Sequence, residues 1–468
     1  YLYISYIYKM SQNISGGSAS YLEIQPSNVV STGVVSYRSG NPVVNFTIGE
    51  TDRFLIGTSV RFCGNIACYT SASGTRGITP KVADTLNVSP KLSAYSVVDQ
   101  LVFSSQKSKN VIEHIRHYGR FLASYLPNVS THQEALGHLS QTCNTMPNIH
   151  GNKLSFVNNV NGSMTAGAGD PTGYQYAGNA FCLNLPCGFL NNSEPIGLSG
   201  AGWGIGGLSI DIHLTPDSQV FNSAGANTDS FYQLENLRLI CEVINPAPDE
   251  LSRLMRQSSN TMEYNAITSY YTTIASTNAI INFRLGLSRV LGFFMNFIPS
   301  TYLNNLTYDG FATLPLINDL VAGTIAPIKQ VVFLKGGNRV ALDYPINANV
   351  KDNATSVIAD PEITRNFMNT FAPFMKNNKS QLTPITNNRV GFTNVQNFAD
   401  AGLMFGVGVQ FDNISGDGLD FRTDNFGVNM ETGLVGNATD GVVSHSAFIF
   451  VRSKQTLVMN ANGLQIIQ

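Results

Sequence analysis

Charge is what this chain has least of. Only 12% of its 468 residues are Asp, Glu, Lys or Arg, about half the roughly 25% of an ordinary soluble protein. The 28 basic residues nearly balance the 30 acidic ones, for a formal net charge of −2. Basic pieces such as Lys107-Ser-Lys109 and Arg116-His-Tyr-Gly-Arg120 are short. No basic stripe marks a direct, sequence-specific nucleic-acid partner. A surface this neutral has little repulsion to hold copies apart, which suits a protein packed in bulk against itself.

Other absences narrow the field further. No apolar stretch reaches the 18 or so residues of a membrane-spanning helix, so no transmembrane segment is expected; the nearest run, Val290 to Pro299, is short and ends in proline. Residues Tyr1 to Lys9 are apolar and aromatic but lack a basic leader and a small-residue cleavage site, so no secretory signal is predicted there. Met10 reads as the more natural start, and residues 1–9 as either an arm or an over-extended reading frame. The six cysteines do not read as a disulfide framework. Cys63, Cys68, Cys182 and Cys241 lie in or beside apolar strand-like runs, and are expected as buried thiols in a reducing compartment. No Gly-x-Ser-x-Gly elbow is present, and no acidic pair sits among aromatics as in a sugar-cleaving groove. No catalytic residue, cofactor or metal ligand is therefore assigned.

What is present is β pattern. From Phe181 to Pro246, three strand-like runs follow one another between turn-rich loops, and a helix signal comes directly after. Leu208 to Leu214 and Ile240 to Ile244 alternate apolar and polar residues, the period of a sheet with one buried face. Earlier runs at Tyr21–Ile24, Val34–Tyr37, Val43–Ile48 and Ser59–Phe62 are punctuated by Gly, Pro, Asn and Ser. A strand is expected over Ala94–Phe103. A helix is expected over Asn110–Tyr125, from the spacing of Val111, Ile112, Ile115, Tyr118 and Leu122, stopped by Pro127. A short helix over His132–Gln141 and a long loop over residues 144–178 complete this half.

Pro246-Ala-Pro248 breaks the chain, and Asp249, Glu250, Arg253 and Arg256 place charges along a short helix to suit its dipole. Further strands are expected at Thr268–Ser276, Ala279–Leu287, Lys329–Leu334, Arg339–Tyr344, Leu403–Phe411, Ala447–Val451 and Thr456–Met459, with a helix between Pro361 and Phe374. The order of events in the first half thus recurs loosely in the second. At this length the chain has room for two sizeable cores.

Motifs elsewhere have plain readings. Gly202-Trp-Gly-Ile-Gly-Gly207 spells a dinucleotide fingerprint, but a strand follows where a helix is needed, so it reads as a flexible inter-strand loop. Cys63 with Cys68, and Cys182 with Cys187, have zinc-knuckle spacing, yet residues five apart on a strand face opposite ways. His114 and His117, with Glu113 beside them, read as a polar helix face. His213 and Asp211 fall on the wet side of a strand. Asp412 to Asp420 reads as a solvated acidic turn, and the sequons at Asn45, Asn305 and Asn437 as chance products of composition.

The segments Val111-Ile-Glu-His-Ile-Arg-His-Tyr-Gly-Arg-Phe-Leu, Leu185-Pro-Cys-Gly-Phe-Leu-Asn, Leu208–Leu214, Tyr232–Leu239, Glu263–Tyr270 and Arg289–Pro299, in that order, resemble the double jelly-roll major capsid proteins of virophages and polinton-like viruses. The resemblance takes Val111–Leu122 as a helix inserted in the first sandwich, Leu185–Asn191 as part of its closing strands, and Glu263–Pro299 as the opening of the second. It implies an all-β fold of two adjacent eight-stranded jelly-roll sandwiches with short helices inserted in loops. Residues 1–20 would be an N-terminal arm, 21–248 the first jelly roll and 249–468 the second. It further implies a non-enzymatic homotrimer with a pseudo-hexameric outline in a virion shell. Its partners would be neighbouring trimers, a penton protein and minor or cement proteins. A carbohydrate-binding, lectin-like sandwich is the alternative, disfavoured by the single Trp203 and the missing signal peptide.

Overall fold

The computed structural model describes residues 17–29, 33–38, 40, 42–69, 86–89, 92–129, 179–192, 194–223, 230–275, 278–300, 303–304, 310–311, 328–340, 342–347, 407–411, 417–432 and 444–468. The expected helices over 132–141 and 361–374, and the loop over 144–178, lie outside them.

Before the Pro246 break run β1 (Ser18–Ile24), β2 (Val43–Ile48), β3 (Phe54–Tyr69), β4 (Val98–Ser105), β5 (Val111–Ile115), β6 (Asn179–Asn184), β7 (Leu208–Leu214) and β8 (Phe231–Asn245), with helix α1 (Tyr118–Val129) after β5. Helix α2 (Pro248–Leu254) follows. Then come β9 (Ser259–Ile274), β10 (Asn278–Phe283), β11 (Val290–Pro299), β12 (Ile328–Lys335), β13 (Asn338–Arg339), β14 (Val407–Gln410), β15 (Phe426–Thr432), β16 (His445–Asn460) and β17 (Gly463–Ile467). Four shorter strands of two or three residues decorate these and carry no label.

The first half forms two antiparallel sheets, ordered β1-β8-β3-β6 and β2-β7-β4-β5. The second forms β9-β16-β11-β14 and β10-β15-β12-β13, with β17 added alongside β16. Raising every first-half label by eight reproduces the second-half order. Apart from the β4-β5 and β12-β13 hairpins, which stay within one sheet, the first eight strands of each half pass back and forth between the facing sheets, the Greek-key winding of a jelly roll.

The alternation read from the sequence puts the right side chains inside. Along β7 the odd positions Leu208, Ile210, Ile212 and Leu214 are buried, while Ser209, Asp211 and His213 are half-buried on the other face. There Asn45 of β2 donates to Asp211. Rings join the facing sheets: Phe46 of β2 meets Phe62 of β3 edge-on at 5.9 Å, and Phe293 of β11 stacks on Phe426 of β15 at 3.8 Å. Burying such aromatic area is the main favourable term for each core.

Some expectations are corrected. Ser93–Val97 is a 3-10 turn, and the strand there starts only at Val98. The helix expected over 110–125 is two elements, β5 followed by α1, which itself continues through Pro127 to Val129. Val111, Ile112 and Ile115 fit either period. Pairing with β4 decides in favour of strand, as β-branched residues prefer, and His117 at φ 54° turns the chain into α1. Ala447–Val451 and Thr456–Met459 are one 16-residue strand, β16, and of the strand expected over Arg339–Tyr344 only Arg339 is in a strand among the described residues, as the end of β13. Leu185–Asn191 is no closing strand; only Asn179–Asn184 before it pairs.

Candidate functional site: the seam between the two sandwiches

The sheet β9-β16-β11-β14 begins with an edge strand. Outward N–H and C=O groups of such a strand invite a partner. Here the first sandwich supplies it. Glu113, from β5, reaches across to β9 and is 4% exposed. Its carboxylate accepts from the Ile267 N–H (2.7 Å) on β9 and from the N–H groups of Gly188 (3.2 Å) and Phe189 (2.8 Å) in the turn after β6. One side chain thereby stitches three segments. Burial opposes ionisation while the three donors favour it; burial is the larger effect and pushes the carboxyl up to about 7.

Around that stitch the two halves are closely fitted. The Tyr264 hydroxyl of β9 donates to the Ile112 carbonyl (2.7 Å) and lies 2.9 Å from Gln455 Oε1, and Asn192 Nδ2 donates to the Glu263 carbonyl (2.8 Å). Phe189 meets Tyr264 edge-on at 5.8 Å. Gly188 has no side chain because none fits: a Cβ there would stand 1.9 Å from the Asn265 carbonyl oxygen. At the far end Arg120 of α1 lies between the rings of Phe311 and Phe448, 5.0 Å from each. Asn296 Nδ2 donates to the Arg120 carbonyl at 2.8 Å, and Phe121 packs on Phe450 at 5.6 Å. On the rim, Glu263 pairs with Arg289 and Lys454, which hold its carboxyl below the usual range.

The residues singled out by sequence fall as follows. His114 is on β5, its Nε2 3.0 Å from Gln100 Oε1, and His117 sits in the turn against Tyr271 and Phe448; they share no helix face. Burial lowers the affinity of both for a proton. The Gly202–Gly207 loop is packed rather than flexible: Trp203 is fully buried against Phe54 at 5.0 Å, and Gly202 abuts Ser258. Cys187 is buried beside Glu113, whereas Cys63 and Cys182 stand opposite each other on neighbouring strands. Asp420 folds back on Arg422, and its carboxyl is held down to about 2 by that guanidinium. Asn305, Asn437 and Asp412 lie outside the described residues. Among the described residues no group of three or more His, Cys, Asp and Glu is arranged to hold a metal, and no helix is long and apolar enough to cross a membrane. Glu113, read from the sequence as part of a polar helix face, is instead a buried strand residue; the signal was a carboxylate set inside a β-branched run, Val111-Ile-Glu-His-Ile.

No protein-family model matches the chain, and no curated protein matches it in sequence. Solved structures do match in shape. A chain of the PBCV-1 virus capsid superimposes with a TM-score of 0.55 over 97% of this chain and 97% of its own, at 8% identity. The chain is a double jelly roll. The Faustovirus major capsid protein gives 0.56 over 95% and 91%, at 8% identity. A chain of the Sputnik virophage gives 0.52 over 96% and 88%, at 13% identity. Coverage of most of each chain means that the likeness runs over both halves of the double jelly roll.

Proposed function

We propose that this double jelly roll is the major capsid protein of an icosahedral DNA virus, working in the virion shell by assembly and without catalysis. The repeated strand order, locked across a buried seam, carries the reading. A block of two adjacent sandwiches offers six similar walls once three copies meet, which is the pseudo-hexameric tile that a flat shell facet needs. A charge-poor surface suits many weak lateral contacts, since multiplicity supplies the strength. Jelly rolls suit tiling because their loops gather at the ends and leave the walls free.

The division proposed for the chain is an arm ahead of Ser18, a first jelly roll to residue 248 and a second at 249–468; the arm expected over residues 1–20 is shortened because Ser18–Ser20 already pair with β8. β8 ending at Asn245, α2 and β9 opening at Ser259 support it. The proposed partners are two further copies in a trimer, neighbouring trimers, a penton protein and minor or cement proteins. The carbohydrate-binding alternative loses support because Trp203 is enclosed and offers no face to a sugar. Electron microscopy of the purified full chain is the test. Uniform particles of hexagonal outline are expected, whereas single, unassociated two-lobed molecules at every concentration would oppose the proposal.

A further inference from the structure

Cys63 of β3 and Cys182 of β6 are register partners in an antiparallel pair, with sulfurs 3.0 Å apart. Directly opposed antiparallel residues have Cα atoms about 4.5–5.5 Å apart, inside the roughly 4.4–6.8 Å that a disulfide spans. Phe62, Phe181 and Leu183, their neighbours in sequence, point into the core. By strand alternation the two thiols therefore stand on the face of the sheet turned away from the core, where Cys182 is half-buried and Cys63 is buried beside it. Arg61 and Arg238 flank them; Arg238 is the register partner of Cys63 on β8. Neither thiol contributes to the seam, and close packing alone does not require two cysteines in register.

We propose that Cys63 and Cys182 form a reversible cross-strand disulfide by exchange with a low-molecular-weight disulfide. The Cys182 thiolate attacks one sulfur of the incoming disulfide, forming a mixed disulfide and releasing one small thiolate. Cys63, having lost its proton to solvent, then attacks the Cys182 sulfur and releases the second. Two protein thiols are oxidised, one small disulfide is reduced to two thiols, and no other electron acceptor is needed. Cys182 is suited to act first: the hydrogen bond from Cys63, with help from Arg61, lowers its thiol to about 7, while the same contact and burial raise Cys63. The bond ties edge strand β6 to β3, closing a long loop of chain and stiffening that sheet. A chain folded where thiols stay reduced would thus acquire its staple on meeting a more oxidising medium.

The test uses the full chain, purified reduced and incubated with oxidised glutathione without denaturant. Free thiols are then trapped by alkylation under denaturing conditions and mapped by mass spectrometry. Expected are the loss of two thiols, a Cys63–Cys182 linked peptide, a raised thermal midpoint, and reversal of all three by dithiothreitol. The Cys63→Ser variant should instead stop at a glutathione adduct on Cys182. Retention of both thiols in the folded wild-type chain, a wild-type adduct that never resolves, or a link to any of the other cysteines would overturn the proposal. Because the wild-type readings stand alone, a variant that fails to fold leaves the test intact.

Discussion

The backbone N–H of Ile267, on the second sandwich, donates to the carboxylate of Glu113, on the first, across 2.7 Å. With Gly188 and Phe189 donating to the same carboxylate, the edge of one jelly roll is closed by a side chain of the other. Glu113→Ala leaves three buried donors without this acceptor, each at roughly 1–3 kcal/mol. A loss of about 3 kcal/mol or more is expected in denaturant melts. Faster proteolysis near Pro248–Leu254, between the halves, should accompany it. An unchanged melt would mean that the stitch holds nothing together.

The same carboxyl predicts a pH dependence. Its affinity for protons is higher in the folded chain, at about 7, than the ordinary value of 4.5. The folded state therefore binds more protons across that window. This contribution is fully present below pH 4.5 and is lost as pH rises through 7. Its size is about 3 kcal/mol. Stability of the wild-type chain measured against Glu113→Gln from pH 4.5 to 8 should fall by roughly that amount. A difference that rises with pH would reverse the assignment.

Gly188→Ala is expected to be severe. Its new Cβ would meet the Asn265 carbonyl at 1.9 Å, backbone against backbone, so neither side can yield by rotating a side chain. Gly49→Ala, with nothing within 4 Å of its added atom, is the matched control. Soluble yield and melting temperature should collapse for the first and stay level for the second.

Arg120→Leu removes a guanidinium held between Phe311 and Phe448. Cation–π contacts that are desolvated are worth on the order of 2 kcal/mol, so a loss of about that size is expected by calorimetry. Arg120→Lys should restore little, since an ammonium lacks the flat face that stacks on a ring.

Much of this was legible in the sequence, and the failures have physical causes. Leu208–Leu214 and Ile240–Ile244 announced themselves because one face is wet and the other dry. β16 did not, because Arg452, Ser453 and Gln455 are polar yet buried under the seam; polar letters in mid-strand look like a gap when the partner that buries them is unknown. Gln455 lies 2.9 Å from the Tyr264 hydroxyl, a residue 191 positions away. β5 was misread because three apolar residues satisfy both periods, and only its pairing with β4 chooses. The Gly202–Gly207 loop looked flexible by composition, although Gly202 lets the Ser258 backbone come close and Gly197, just before the loop, makes room for Trp203. In each case the missing information is long-range contact.

The most direct test of the assembly reading is the absolute mass of the purified full chain in solution, by light scattering behind a sizing column. A stable species of three times the chain mass, persisting on dilution, is the expected result. A species of one chain mass throughout, at any concentration reached, would contradict it.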